Sequence, residues 1–81
     1  MDYIVIDMRS ISCPEPLIRT IKVIDSLQKG GLLKVLTDKD ECVKLIKEVI
    51  EGFNLGTIEV ILEGGDHYAL IIKIPTNLKN T

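Results

Sequence analysis

The sequence holds no tryptophan, one phenylalanine and two tyrosines in 81 residues. It therefore has almost none of the aromatic platforms on which nucleic-acid bases stack. Ten Lys and Arg face twelve Asp and Glu, for a formal charge of −2, so a basic footprint is missing as well. Together these absences argue against a nucleic-acid binder. No apolar run reaches the roughly 20 residues that a membrane-spanning helix needs, and the first residues lack the basic region and long apolar stretch of a signal peptide. The expectation is a cytoplasmic protein with no membrane contact. Histidine occurs once, as His67, and no Cys or His stands near it at metal-ligand spacing, so no metal, histidine base or cofactor is expected. A glycine-rich phosphate loop and a Ser-His-Asp set in a suggestive context are missing too. The two cysteines, Cys13 and Cys42, form no Cys-x-x-Cys, which disfavours thioredoxin-like chemistry. In a reducing compartment such thiols stay free, and a disulfide framework is not expected.

What is present suffices for one core. Hydrophobic residues make up 46% of the chain, which at this length supports a single domain with little surplus. The domain is expected over 1–75, followed by a polar tail over 76–81 that frays. Tyr3 to Ile6 reads as a strand, with polar and turn residues from Asp7 to Ser12. From Pro14 to Lys29 the residues Leu17, Ile21, Ile24 and Leu27 recur at helical spacing, and Gly30-Gly31 stops the helix. Leu32 to Thr37 reads as a second strand whose core face lies opposite Lys34. A second helix runs from about Glu41 to Phe53, capped by Asp38 or Asp40, with Cys42, Leu45, Ile46, Val49, Ile50 and Phe53 as its apolar stripe. Cys42 is thereby read as a small core residue. Thr57 to Glu63 and His67 to Ile74 form a hairpin around Gly64-Gly65-Asp66. The order β-α-β-α-β-β gives an α/β, or α+β, two-layer sandwich, with two helices on one face of a four-stranded mixed sheet.

The stretch DMRSISCPEPL, from Asp7 to Leu17, places Cys13 where the first strand gives way to the first helix. Pro14 suits the first helical position and Pro16 its first turn. Cys13 is then the expected N-cap, with its sulfur accepting the Glu15 N–H, the donor that the two prolines leave available. The helix dipole and that donor favour a thiolate, while the charge of Glu15 opposes it. The plainer alternative is a small capping residue followed by a stiff helix start. Arg9 is placed to approach the same loop and stabilise an anion, or to stand in solvent as a loop cation.

DMRSISCPEPL, followed by LLKVLTD, resembles the TusA/SirA-like sulfur-carrier family, whose signature is a Cys-Pro-x-Pro at the start of the first helix. The likeness spans nearly the whole chain. It implies a small cytoplasmic carrier in which Cys13 takes sulfur as a persulfide from a donor protein, such as a cysteine desulfurase, and passes it to an acceptor. It implies a thiol that acts as reagent in a relay, rather than an enzyme turning over a small molecule. It also implies a fold similar to the C-terminal domain of translation initiation factor 3. The chain departs from the family in two places. Ser10 stands where a glycine usually follows Asp-x-Arg, and Lys39-Asp40 follow Thr37-Asp38 where many members carry Asp-Asp-Pro.

A carrier needs a reactive thiolate, access for partners, and no second thiol close enough to expel the carried sulfur as sulfide. Cys13 has no such neighbour in sequence. Pro14, Glu15, Pro16 and Arg9 are the supporting residues of this reading. Arg19 and Lys22, on the exposed side of the first helix, form either a docking surface for an acidic partner or an ordinary solvated face. The sheet face away from the helices is expected to carry Tyr3, Val5, Leu36, Ile61, Ala69 and Ile71, which allows a monomer or a weak homodimer. The alternative function is a non-catalytic regulatory or interaction module on the same fold.

Overall fold

A computed structural model describes residues 2–76. The elements are β1 (Asp2–Asp7), α1 (Glu15–Ser26), β2 (Gly31–Thr37), α2 (Asp40–Gly52), β3 (Thr57–Glu63) and β4 (His67–Ile74). Their order is the one expected from the sequence. The sheet runs β1-β2-β4-β3, with β1 parallel to β2 and β4 antiparallel to both β2 and β3. It is therefore a mixed sheet, in which the β3–β4 hairpin returns to fill the slot beside β2. Gly64 and Gly65 turn that hairpin at φ of 61° and 76°, a left-handed conformation that glycine adopts without steric cost.

Strand alternation sets the two faces. Leu33 and Val35 in β2 and Leu70 and Ile72 in β4 are fully buried toward the helices, and Ile58 and Val60 of β3 pack against them. Each of the four fully buried side chains stabilises the fold by about 1.5–3 kcal/mol relative to exposure. Leu62 shares that face by its register with Tyr68 but is 59% exposed, since it is the last but one residue of the edge strand β3, at a corner of the sheet. On the open face, register aligns Tyr3 with Leu32 and Lys73, and Val5 with Lys34 and Ile71. The expected apolar residues do share this face, with lysines between them.

Both helices differ in detail from the sequence-based expectation. In α1 the fully buried positions are Pro16 and Thr20, so the apolar stripe is turned toward them, with Leu17, Val23 and Ile24 packed beside the core. Thr20 tolerates burial because its hydroxyl donates to the Pro16 carbonyl at 2.7 Å, leaving no unpaired group. In α2, Cys42, Ile46 and Ile50 are buried as expected. Phe53, expected in the stripe, caps the C-terminus of α2 and is 74% exposed. Neither Asp38 nor Asp40 caps α2; Lys39 occupies that position without a side-chain bond, and its N–H donates to the Thr37 hydroxyl at 3.2 Å. Thr76, the first residue of the expected tail, donates its hydroxyl to the Lys29 carbonyl at 3.3 Å. The rest of that tail lies outside the described residues.

Candidate functional site

The parallel pairing of β1 and β2 brings two loops together. The last strand pair, Asp7 with Leu36, is extended by a bond from the Met8 N–H to the Leu36 carbonyl at 2.8 Å. One step further, the Ser10 N–H donates to both carboxylate oxygens of Asp38, at 3.0 and 3.1 Å. The loop that leads into α1 and the loop that leads into α2 are thus fastened side by side. Cys13 lies on the first and Cys42 is the third residue of α2. Their Cα atoms are 5.6 Å apart, and the two side chains are joined in a disulfide.

This pairing corrects the expectation of free thiols. Cys42 is buried, as its place in the apolar stripe requires, but it faces the other cysteine across the helix–loop contact. Sequence separation hid this: the two residues lie 29 apart and meet because parallel neighbouring strands deliver both helix N-termini to the same edge of the sheet. The absence of a second thiol near Cys13, expected of a simple carrier, is likewise overturned.

The capping geometry differs too. Helix α1 begins at Glu15 with Pro14 as its cap residue and no side-chain capping bond, so Cys13 sits one position outside. The Glu15 N–H, the donor expected at the sulfur, goes to the Ser12 carbonyl at 3.3 Å. Pro14 and Pro16 have no N–H to replace it. Cys13 is half-buried, Pro14 and Glu15 are exposed, and Pro16 is buried beneath them. The motif therefore presents Cys13 at the surface on one side and to Cys42 on the other.

Arg9 is engaged elsewhere than at Cys13. Its guanidinium grips Asp7 through Nε at 2.9 Å and a second nitrogen at 2.6 Å, and its backbone N–H adds a third bond at 3.1 Å. These bonds hold the Asp7 carboxyl down to about 2. Beside this pair, on the open face, His67 places Nδ1 2.7 Å from Asp66 and Nε2 3.1 Å from Glu63, and Glu63 pairs with Lys34 at 3.0 Å. Asp66, aided by Glu63, raises the His67 pKa against the opposing effect of burial. Asp40, the first residue of α2, pushes the Tyr68 phenol upward. Among the described residues no three His, Cys, Asp or Glu side chains converge as a metal site would require.

Arg19 and Lys22 are exposed on α1, along the helix from Cys13. A cleft of about 340 Å³, lined by Ile24, Gln28, Leu55 and Ile74 among others, lies at the opposite end of the sheet. Cys13 is consequently the partly exposed member of the pair, beside two helix N-termini, and Cys42 is buried behind it. Sequence reasoning placed Cys13 in the loop between the first strand and the first helix, where it lies, and missed Cys42 as its bonded partner and Asp38 as the tie between the two loops. The available signal was topological, since in a β-α-β unit the residues that follow two parallel neighbouring strands emerge together.

Comparison with known proteins agrees with this architecture. The profile of the family described as Sulfurtransferase TusA matches residues 4–74. A candidate sulfur-carrier protein of Archaeoglobus fulgidus is 29% identical over 70 residues, covering 86% of this chain and 94% of that protein. The crystal structure of a SirA-like protein from Desulfitobacterium hafniense superimposes with a TM-score of 0.83 at 27% identity, covering 89% of this chain and 97% of that one. Among the described residues no helix is long and apolar enough to cross a membrane.

Proposed function

The chain belongs to the TusA family, and from that premise we propose that it is a sulfur carrier in which Cys13 accepts a sulfur atom as a persulfide from a donor protein and delivers it to an acceptor. The observation that carries this reading is the place of Cys13. It stands at the surface in the Cys-Pro-Glu-Pro string that leads into α1, within reach of a partner's persulfide and remote from the cleft. Transfer follows thiol–disulfide logic: the Cys13 thiolate attacks the outer sulfur of the donor persulfide, and the donor cysteine leaves as its thiolate. The supporting residues have distinct parts. Pro14 and Pro16 stiffen the approach to α1 and withhold donors that would otherwise tie up neighbouring groups. Glu15 adds an exposed negative charge two residues from Cys13. Arg9 acts at one remove, by pinning the loop to Asp7. Donor and acceptor are proteins, with a cysteine desulfurase as the donor class, and the compartment is the cytoplasm, where the thiols can be regenerated.

The disulfide favours a second reading, a non-catalytic interaction module, because a bonded Cys13 carries no sulfur. Incubation of the reduced wild type and of Cys42→Ala, which lacks the neighbouring thiol, with a cysteine desulfurase and cysteine, followed by mass spectrometry, separates the two. The carrier reading requires one added sulfur on Cys13 that reductant removes and that is absent in Cys13→Ser. Sulfur found on Cys42 alone, or on neither cysteine in wild type and Cys42→Ala alike with several donors, would leave the interaction module as the better account.

A further inference from the structure

We propose that Cys42 is a resolving thiol that releases the sulfur carried by Cys13 as hydrosulfide. The proposal rests on the persulfide reading of Cys13 and extends it by a reaction. Cys42 is 0% exposed, so partner proteins and bulky oxidants do not reach it. Cys13 is the sulfur centre to which it is bonded. The loops that hold the two are fastened by the Met8–Leu36 and Ser10–Asp38 bonds, which keeps the thiols together when the disulfide is open. Cys42 also occupies the first turn of α2, at the end of that helix nearest the Cys13 loop.

The separation chooses which sulfur is attacked. A Cα–Cα distance of 5.6 Å matches that of directly bonded cysteines, about 5.5–6 Å. It brings Cys42 onto the inner sulfur of a Cys13 persulfide, its own Sγ. Attack there forms the Cys13–Cys42 bond and breaks the bond between Cys13 Sγ and the outer sulfur. The outer sulfur leaves with the bonding pair as hydrosulfide, and the proton of the Cys42 thiol goes to solvent. The carried sulfur is reduced by two electrons and the thiol pair is oxidised by two, so the step needs no external oxidant. A dithiol reductant then reopens the disulfide for the next loading. The disulfide in the structure has the connectivity of this product.

The test uses reduced, anaerobic wild type, Cys42→Ser and Cys42→Ala, each treated briefly with inorganic polysulfide and freed of excess reagent. Hydrosulfide release is then followed alongside intact mass and peptide mapping. The wild type is expected to lose its added sulfur, with one hydrosulfide appearing for each Cys13–Cys42 disulfide formed. Both variants are expected to keep a single sulfur on Cys13 until reductant is added. The alanine variant guards against a serine hydroxyl disturbing the buried site, and circular dichroism checks both folds. A wild type that holds its persulfide as long as the folded variants do overturns the resolving role and leaves the carrier reading standing. Folded variants that never hold sulfur on Cys13 overturn both.

Discussion

Ser10 holds a left-handed backbone, φ +68°, while its N–H is clasped by both oxygens of Asp38. A residue with a Cβ is strained in that conformation, by roughly 1–3 kcal/mol. Asp38 meets that strain with a charge-assisted bond between the two loops that carry the cysteines. Ser10→Gly keeps the N–H and relieves the strain, at the entropic cost that glycine brings. It is expected to raise stability by up to about 1 kcal/mol, whereas Asp38→Ala is expected to lower it by about 1 kcal/mol. Urea unfolding of the oxidised proteins measures both. A destabilised Ser10→Gly would mean that the serine side chain contributes something besides its backbone.

The cross-link itself closes a loop of 29 residues in separation. Restricting the unfolded chain over that span is worth about 3–4 kcal/mol in the chain-entropy account. Reduction is therefore expected to lower stability by up to that amount while leaving the sheet intact. Paired denaturation curves, with and without reductant, give the difference, and Cys42→Ala should show no response to reductant. A reduced protein as stable as the oxidised one would mean that its unfolded state already keeps the two cysteines close.

The strands were readable because apolar and polar residues alternate along them with little interruption. Leu33, Lys34 and Val35 orient β2 by themselves, and Ile58, Glu59 and Val60 do so for β3. The helices were readable as elements but less so in rotation. Thr20 is polar by type, and its burial depends on a hydroxyl bond to Pro16 that no periodicity records. Phe53 is apolar by type, yet it follows the last turn of α2 and faces outward. The cysteine pair was half legible, since Cys13 is marked by the two prolines that follow it. Cys42 looks like any core position of an amphipathic helix, and only the adjacency of β1 and β2 gives it a partner.

The Asp7–Arg9 fork sets an acid limit. Its bonds lower the Asp7 carboxyl to about 2, below the unfolded value of about 3.9. The pair therefore contributes its full stability above the unfolded value and loses it as pH falls through the folded one. The Asp7 side-chain carbonyl resonance, followed by NMR, is expected to titrate near 2, and the stability gap between wild type and Asp7→Asn should close over that same window. A midpoint at the ordinary carboxylate value would show that the fork does not persist in solution.

His67 works in the opposite direction. Its pKa is raised, first by the bond to Asp66 and further by Glu63, so the charged ring favours the folded state. That contribution is fully present below the unfolded value of about 6.5 and is lost as pH rises through the folded pKa. NMR titration of the ring should give a midpoint above 6.5, and Asp66→Asn should lower it more than Glu63→Gln does. An unchanged midpoint in Asp66→Asn would remove Asp66 as the principal cause.

The exposed charges of α1 are expected to matter for transfer more than for folding. Arg19 and Lys22 are exposed, and single changes at such positions alter stability by less than about 0.5 kcal/mol. A double reversal to Glu should leave the fold intact and reduction of the disulfide unaffected. If the sulfur donor or acceptor presents an acidic surface beside Cys13, the reversal should slow association at low salt. It should also flatten the dependence of the rate on ionic strength, because steering charges act mainly on encounter. Sulfur transfer from a cysteine desulfurase, timed at low and at physiological ionic strength, reads both effects. Equal rates for wild type and the reversed protein at low salt would assign these side chains to solvation of the helix alone, and docking to another part of the surface around Cys13.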